Sequence, residues 1–131
     1  MSPLHEHLPI ERHGEVAVVS FNRPARRNAF DLGMWQGLQA TMEALSADDT
    51  LRCVVLRGAG AEAFSAGADI SAFAAERGGR AQEDRYAAVL HDSMQSIRLC
   101  RHPVVAMIMG WCLGGGAGIA TMCDFRVGGE S

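Results

Sequence analysis

Two glycine-bearing segments, Phe64-Ser65-Ala66-Gly67-Ala68-Asp69-Ile70 and Gly114-Gly115-Gly116-Ala117-Gly118, hold the residues best suited to chemistry in this chain. Each follows an apolar run that reads as a buried strand, and each leads toward a segment that reads as helix. Glycine lets the backbone approach a ligand with no Cβ in the way. Backbone N–H groups from two such loops can converge on one oxygen and form an oxyanion hole. That device suits reactions in which a carbonyl becomes an enolate or a tetrahedral anion. One donor is typically worth about 3–4 kcal/mol in the transition state. A helix starting inside the second run adds the partial positive charge of its N-terminus.

Other glycine chemistries do not fit. The chain has no Gly-x-x-x-x-Gly-Lys-[Ser/Thr] phosphate loop and no Gly-x-Ser-x-Gly nucleophile elbow. The run at 114–118 lacks the Gly-x-Gly-x-x-Gly spacing of a dinucleotide turn and lies late in the chain. The four cysteines, Cys53, Cys100, Cys112 and Cys123, form no Cys-x-x-Cys pair and sit in apolar surroundings. They read as reduced, buried thiols, which points to the cytoplasm. His5-Glu6-His7 lies in a terminal stretch and reads as surface rather than as a metal site, so no metal is expected. No redox cofactor is expected either.

The elements that must position the loops follow from the pattern around them. At 131 residues, 48% hydrophobic and 21% charged, the chain can bury one modest core. A net charge of −3 gives no bulk attraction to nucleic acid or to an anionic membrane. The longest apolar run, Val104 to Leu113, falls short of the ~18–20 residues of a membrane span. Met1 to Glu11 mix His, Pro and Glu rather than the basic-then-apolar pattern of a secretory leader. Ile10 to Arg12 and Val16 to Phe21 read as a hairpin around His13-Gly14-Glu15, stopped by Pro24. Asp31 can cap a helix running to about Leu45, with Met34, Leu38, Met42 and Leu45 on one face. Cys53 to Leu56 reads as a central strand. Ser71 to Glu76 and Ala81 to Cys100 read as helices, the second with Val89, Met94, Ile97 and Cys100 on or near its buried side. Val104 to Ile108 and Cys123 to Val127 read as strands, Trp111 as core packing, and the glycine run as a helix start. Alternation of strands and helices argues for an α/β chain with a parallel sheet. No internal repeat or linker divides residues 1–131. The last residues, Arg126 to Ser131, read as a strand entering a loop, as expected for a piece of a longer polypeptide.

The chain resembles the crotonase superfamily, the enoyl-CoA hydratase/isomerase family. Four blocks carry the likeness in order and spacing: Asn22-Arg23-Pro24-Ala25-Arg26-Arg27-Asn28-Ala29, Phe64 to Ile70, Gly110-Trp111-Cys112-Leu113-Gly114-Gly115-Gly116, and Cys123-Asp124. The resemblance implies a spiral of ββα turns with nearly perpendicular sheets, here the N-terminal part of one domain lacking the rest of the core and a helical C-terminal region. It implies an acyl-CoA thioester substrate, coenzyme A being part of that substrate, and fatty-acid-type chemistry. The N–H groups of Ala68 and Gly115 would hold the thioester oxygen. Ala66, Asp69, Ile70, Ser71 and Gly114 would line the substrate, and Arg26 and Arg27 would reach phosphates of the CoA nucleotide. Family members usually assemble as trimers or pairs of trimers.

The pattern is broken at one place. Hydratases of the family carry a catalytic glutamate at the position matching Gly118, and a second one beyond residue 131. Glycine cannot transfer a proton. A base would then lie elsewhere in the protein or among Glu76, Glu83, Asp84, Tyr86 and His91. Otherwise the protein is an acyl-CoA-binding or scaffold member without turnover, or a hydrolase or dehalogenase with a different base.

Overall fold

A computed structural model describes residues 3–69 and 79–129. Strands β1 (Ile10–His13) and β2 (Val16–Phe21) form an antiparallel hairpin with Ile10 opposite Val19 and His13 opposite Val16. The chain turns through a short 3-10 segment, Pro24–Arg26, and enters helix α1 (Leu32–Ser46). Then come β3 (Cys53–Gly58), β4 (Ala63–Ser65), α2 (Arg80–Arg98), β5 (Val104–Ile108), β6 (Trp111–Cys112), α3 (Gly115–Met122) and β7 (Phe125–Gly128). The main sheet has the order β1-β2-β3-β5-β7, parallel from β2 onward, and β4 pairs with β6 in a separate parallel ribbon. The expected helix at Ser71 to Glu76 lies outside the described residues.

Local chemistry accounts for these elements. The Asp31 carboxylate accepts the Met34 N–H at 2.8 Å and caps α1. The predicted stripe of Met34, Leu38, Met42 and Leu45 is buried, together with Trp35, in one hydrophobic core with the inner face of the sheet. Burying each such side chain is worth about 1.5–3 kcal/mol. On the sheet, Ala17, Val19, Val54, Leu56, Val104 and Ala106 supply the matching buried face. At the C-terminal ends of the strands, Phe21 packs edge-on to Phe30 (ring centroids 4.9 Å apart) and Phe64 (5.1 Å), and Phe30 lies 4.5 Å from Trp35. The cluster reaches both glycine segments, through Trp35 beside Gly115 and through the Phe30 backbone hydrogen bond to Gly67.

Four sequence expectations need correction. The first glycine loop begins as strand, since Phe64 and Ser65 belong to β4. The last strand starts at Phe125 rather than Cys123, because Asp124 turns its carboxylate onto the Val104 N–H at 2.8 Å and ends the turn after α3. Three of the four thiols, Cys53, Cys100 and Cys112, are only half-buried; Cys123 alone is buried, and all four are free. Trp111 is not core: it is 49% exposed, with the Arg27 guanidinium 5.7 Å above its ring.

Candidate functional site

The two glycine loops meet because the strands that precede them pair. Parallel pairing of Ala63 with Trp111 and of Ser65 with Cys112 sets the C-terminal ends of β4 and β6 side by side. Trp111 N–H donates to the Glu62 carbonyl at 3.0 Å, and Leu113 N–H donates to the Ser65 carbonyl at 3.1 Å. Whatever follows Ser65 is thereby delivered next to whatever follows Cys112. Contact is then backbone to backbone: a Cβ on Gly67 would stand 2.9 Å from the Leu113 oxygen and 3.0 Å from the Gly115 nitrogen. A Cβ on Gly116 would stand 2.3 Å from the Ser65 oxygen. Gly67 (φ 93°) and Gly114 (φ 50°) both take the left-handed conformation that glycine adopts without strain.

The hydrogen bonds fix which way the donors face. Phe30 bridges to Ala68: its N–H donates to the Gly67 carbonyl at 2.7 Å, and its carbonyl accepts the Asp69 N–H at 2.8 Å. In a planar trans peptide the C=O and N–H point in opposite directions. With the Gly67 carbonyl turned toward Phe30, the Ala68 N–H of the same peptide points away from it. Neighbouring donors are used: Gly67 N–H by the Ser65 hydroxyl at 3.1 Å, Gly116 N–H by the Leu113 carbonyl at 2.8 Å, and Gly118 N–H by the Gly114 carbonyl at 3.0 Å. Among the described residues neither the Ala68 nor the Gly115 N–H donates a hydrogen bond. Gly115 opens α3, where the first N–H groups have no partner within the helix. The structure thus brings the two sequence-predicted donors onto abutting loops with both N–H groups uncommitted.

Around the two loops, Arg23, Arg27 and Asn28 of the Asn22–Ala29 segment make structural ties. Asp69 is buried and accepts from Arg23 Nη2 at 3.0 Å, with Arg26 Nη1 at 3.9 Å from its other oxygen. Arg27 ion-pairs with Glu62 at 3.3 Å. Arg26 and Arg27 are both largely exposed at the surface. Ala66 donates its N–H to the Arg27 carbonyl at 3.0 Å. Ile70 and Ser71 lie outside the described residues. Sequence reasoning missed Arg23, Asn28 and Ser65. Asn28 is buried at φ 56°, its amide donating to the Ala63 carbonyl at 2.8 Å and its Oδ1 accepting the Arg23 N–H at 3.0 Å. Asparagine is the non-glycine residue most at home in that conformation, which was the available signal. The Ser65 hydroxyl donates to the Asn28 carbonyl at 2.9 Å and so locks the first loop to the same segment.

Groups for proton transfer are sparse here. A Cβ on Gly118 would sit 2.9 Å from Met94 Cε, so the space beside it is occupied by a thioether from α2. Glu83, Asp84 and His91 are exposed on α2, Tyr86 is buried, and Glu76 is outside the described residues. Burial, reinforced by the Asp124 carboxylate, pushes the Cys123 thiol up to about 12, and burial also raises Cys53 and Cys112. Raised thiols are poor nucleophiles. Among the described residues no group of three His, Cys, Asp or Glu side chains is arranged to hold a metal. A cleft of about 670 Å³ between α1 and the end of α2, lined by Glu43, Asp49, Asp92 and Arg101 among others, shares no residue with the loops.

A parallel sheet backed by helices, with a second strand pair carrying two abutting glycine loops, defines an α/β protein of the crotonase fold. Comparison with known proteins agrees. The family description Enoyl-CoA hydratase/isomerase matches residues 11–131. The chain belongs to the enoyl-CoA hydratase/isomerase family. It is 34% identical over 119 residues to a short-chain-enoyl-CoA hydratase of Clostridium acetobutylicum, covering 90% of this chain and 44% of that protein. It is 35% identical over 117 residues to a mitochondrial Delta(3,5)-Delta(2,4)-dienoyl-CoA isomerase of Mus musculus, covering 82% and 36%. The crystal structure of an enoyl-CoA hydratase/carnithine racemase from Magnetospirillum magneticum superposes with a TM-score of 0.91 at 41% identity, covering 95% of this chain and 46% of that one. The chain spans less than half the length of each of these proteins.

Proposed function

We propose that this chain supplies the carbonyl-holding half of an active site that acts on an acyl-CoA thioester. The N–H groups of Ala68 and Gly115 bind the thioester oxygen and stabilise it as an enolate forms. One observation carries this reading: two uncommitted backbone donors on abutting loops, one of them at a helix N-terminus. In such a site, an α-proton leaves readily only while the developing oxyanion is held. In the same reading residues 1–131 are the N-terminal portion of one crotonase-like domain without an internal boundary, the intact protein is a trimer or pair of trimers in the cytoplasm, and no cofactor beyond the CoA of the substrate is needed. Ala66, Asp69, Ile70, Ser71 and Gly114 line the acyl group, while Arg26 and Arg27 face the CoA phosphates.

Gly118 favours one branch over another. Without a carboxylate there, and with Met94 beside it, the ordinary two-glutamate hydration has no first acid. Isomerisation with a single base from outside residues 1–131 fits better. The same observation supports a second reading, an acyl-CoA-binding member without turnover. Hydrolase or dehalogenase chemistry would use the same hole with another base.

The test uses the full-length protein with crotonyl-CoA and a 3-enoyl-CoA. Turnover of either eliminates the binding-only reading. Two variants then isolate the donor. Gly115→Ala adds a Cβ against Trp35 but keeps the N–H; Gly115→Pro adds the same Cβ and removes it. Loss of one such donor costs about 10²–10³ in kcat, so the proline variant should fall about that far below the alanine variant. Equal turnover by the two folded variants would refute the oxyanion role.

A further inference from the structure

We infer that Arg23 is the positioning residue for the Ala68 N–H. This inference rests on the reading of Ala68 and Gly115 as the oxyanion donors, and it names what keeps the first of them aimed. Ala68 belongs to an isolated bridge, held by one backbone hydrogen bond on each side of it, to Phe30. Next to it stands Gly67, which has no side chain of its own to restrain its backbone. A peptide so placed needs a tether outside the backbone to keep one orientation while a substrate oxygen arrives. Arg23 provides it. Nη2 donates to Asp69 Oδ2 at 3.0 Å, and Nη1 donates to the Ala29 carbonyl at 2.9 Å. One guanidinium thus joins the residue immediately after Ala68 to the residue immediately before Phe30, spanning the bridge from both strands.

The tether is itself held. Arg23 N–H donates to Asn28 Oδ1 at 3.0 Å, and Asn28 is anchored to the Ala63 carbonyl in β4, the strand that leads into the Gly67–Ala68 loop. Side-chain exposure is 16% for Arg23 and 7% for Asp69, so the pair works where water screens it little. Arg26, at 3.9 Å and 56% exposed, is the weaker partner. The fork geometry matters: two donors fixed in one plane reach two acceptors on different segments at once, which a lysine ammonium cannot do with the same rigidity. Charge matters as well. Asp69 is one residue from the donor, and the negative charge of its carboxylate opposes negative charge growing on the bound oxygen. Arg23 cancels it.

The experiment is spectroscopic and uses the full-length protein with 4-(dimethylamino)cinnamoyl-CoA, a chromophoric enoyl thioester whose long-wavelength band moves to the red when its carbonyl is polarised. Titration gives the dissociation constant, and the spectrum at saturation gives the polarisation, so binding and aim are read separately. Arg23→Gln should lose more than half of the wild-type red shift at saturation, with a smaller effect on affinity. Arg23→Lys, which keeps the charge but not the double reach, should fall between Gln and wild type; it carries the test alone if the Gln variant does not fold. Folded variants that keep the full shift, even with weaker binding, would overturn the positioning role. Full recovery by lysine would do so too, by leaving charge alone as the cause. A wild-type protein that binds the probe with no shift would instead refute the Ala68–Gly115 hole, and this inference with it.

Discussion

Glycines two residues apart in one run do different jobs, and the difference is measurable. Gly116 has the Ser65 backbone oxygen 2.3 Å from where a Cβ would stand, and a paired strand cannot move aside. Gly118 has only the terminal methyl of Met94 at 2.9 Å, the far end of a flexible side chain. Gly116→Ala should therefore destabilise the folded protein by about 1–3 kcal/mol through overpacking. Gly118→Ala should cost little or even stabilise, because replacing glycine inside a helix returns up to about 1 kcal/mol. Denaturant midpoints of the two variants check this, and equal losses would contradict the packing account. At this scale the sequence was legible where a residue type has one main use. The glycine run marked a close approach, but the tie that Asp69 makes was not visible. Its partner could not be read. Arg23 stands 46 positions away, and nothing local distinguishes it from Arg26 and Arg27 beside it.

Elements were legible in proportion to their length and to the locality of their signals. Helix α1 carries its start signal and its stripe in its own residues, so Asp31 and the Met34-Leu38-Met42-Leu45 face were visible beforehand. Asp31→Ala should remove the hydrogen bond to Met34 N–H and cost about 1 kcal/mol. Thermal unfolding of the variant against wild type checks it; an unchanged midpoint would mean that the carboxylate adds nothing to the cap. Strands β4 and β6 escaped notice for the opposite reason. At three and two residues they are too short to show a period, and their pairing is decided by partners almost 50 residues apart. Yet this small ribbon brings the two loops together. Trp111 was misread for the same reason: an aromatic in an apolar stretch reads as core, whereas β6 turns it outward under Arg27.

For the molecule as a whole, the sheet is covered unevenly. Its helix-facing side is closed, with Val54, Leu56, Val104 and Ala106 at or near zero exposure. On the other side Val55, Val105 and Met107 are only half-buried, although parallel strands are normally covered on both faces. β7 is exposed along its length, with Phe125 at 61% and Val127 at 57%. It is also the end of the strand order, and an apolar edge strand is a template for pairing with another chain. Proteins of this family that match the chain are more than twice as long, so further residues of a longer polypeptide would have a place against this edge and face. Prepared on its own, the 131-residue chain should therefore bind the apolar dye ANS and associate with itself as concentration rises. Phe125→Lys combined with Val127→Lys should lower both, since the new charges would have to be desolvated in any such contact. Sedimentation velocity with parallel dye titration reads the two effects together. A 131-residue chain that stays monomeric and dye-silent would show that the half-covered sheet needs no further cover. Association unchanged by the two lysines would move the sticky surface away from β7, toward the exposed Trp111 and Leu113 beside the glycine loops.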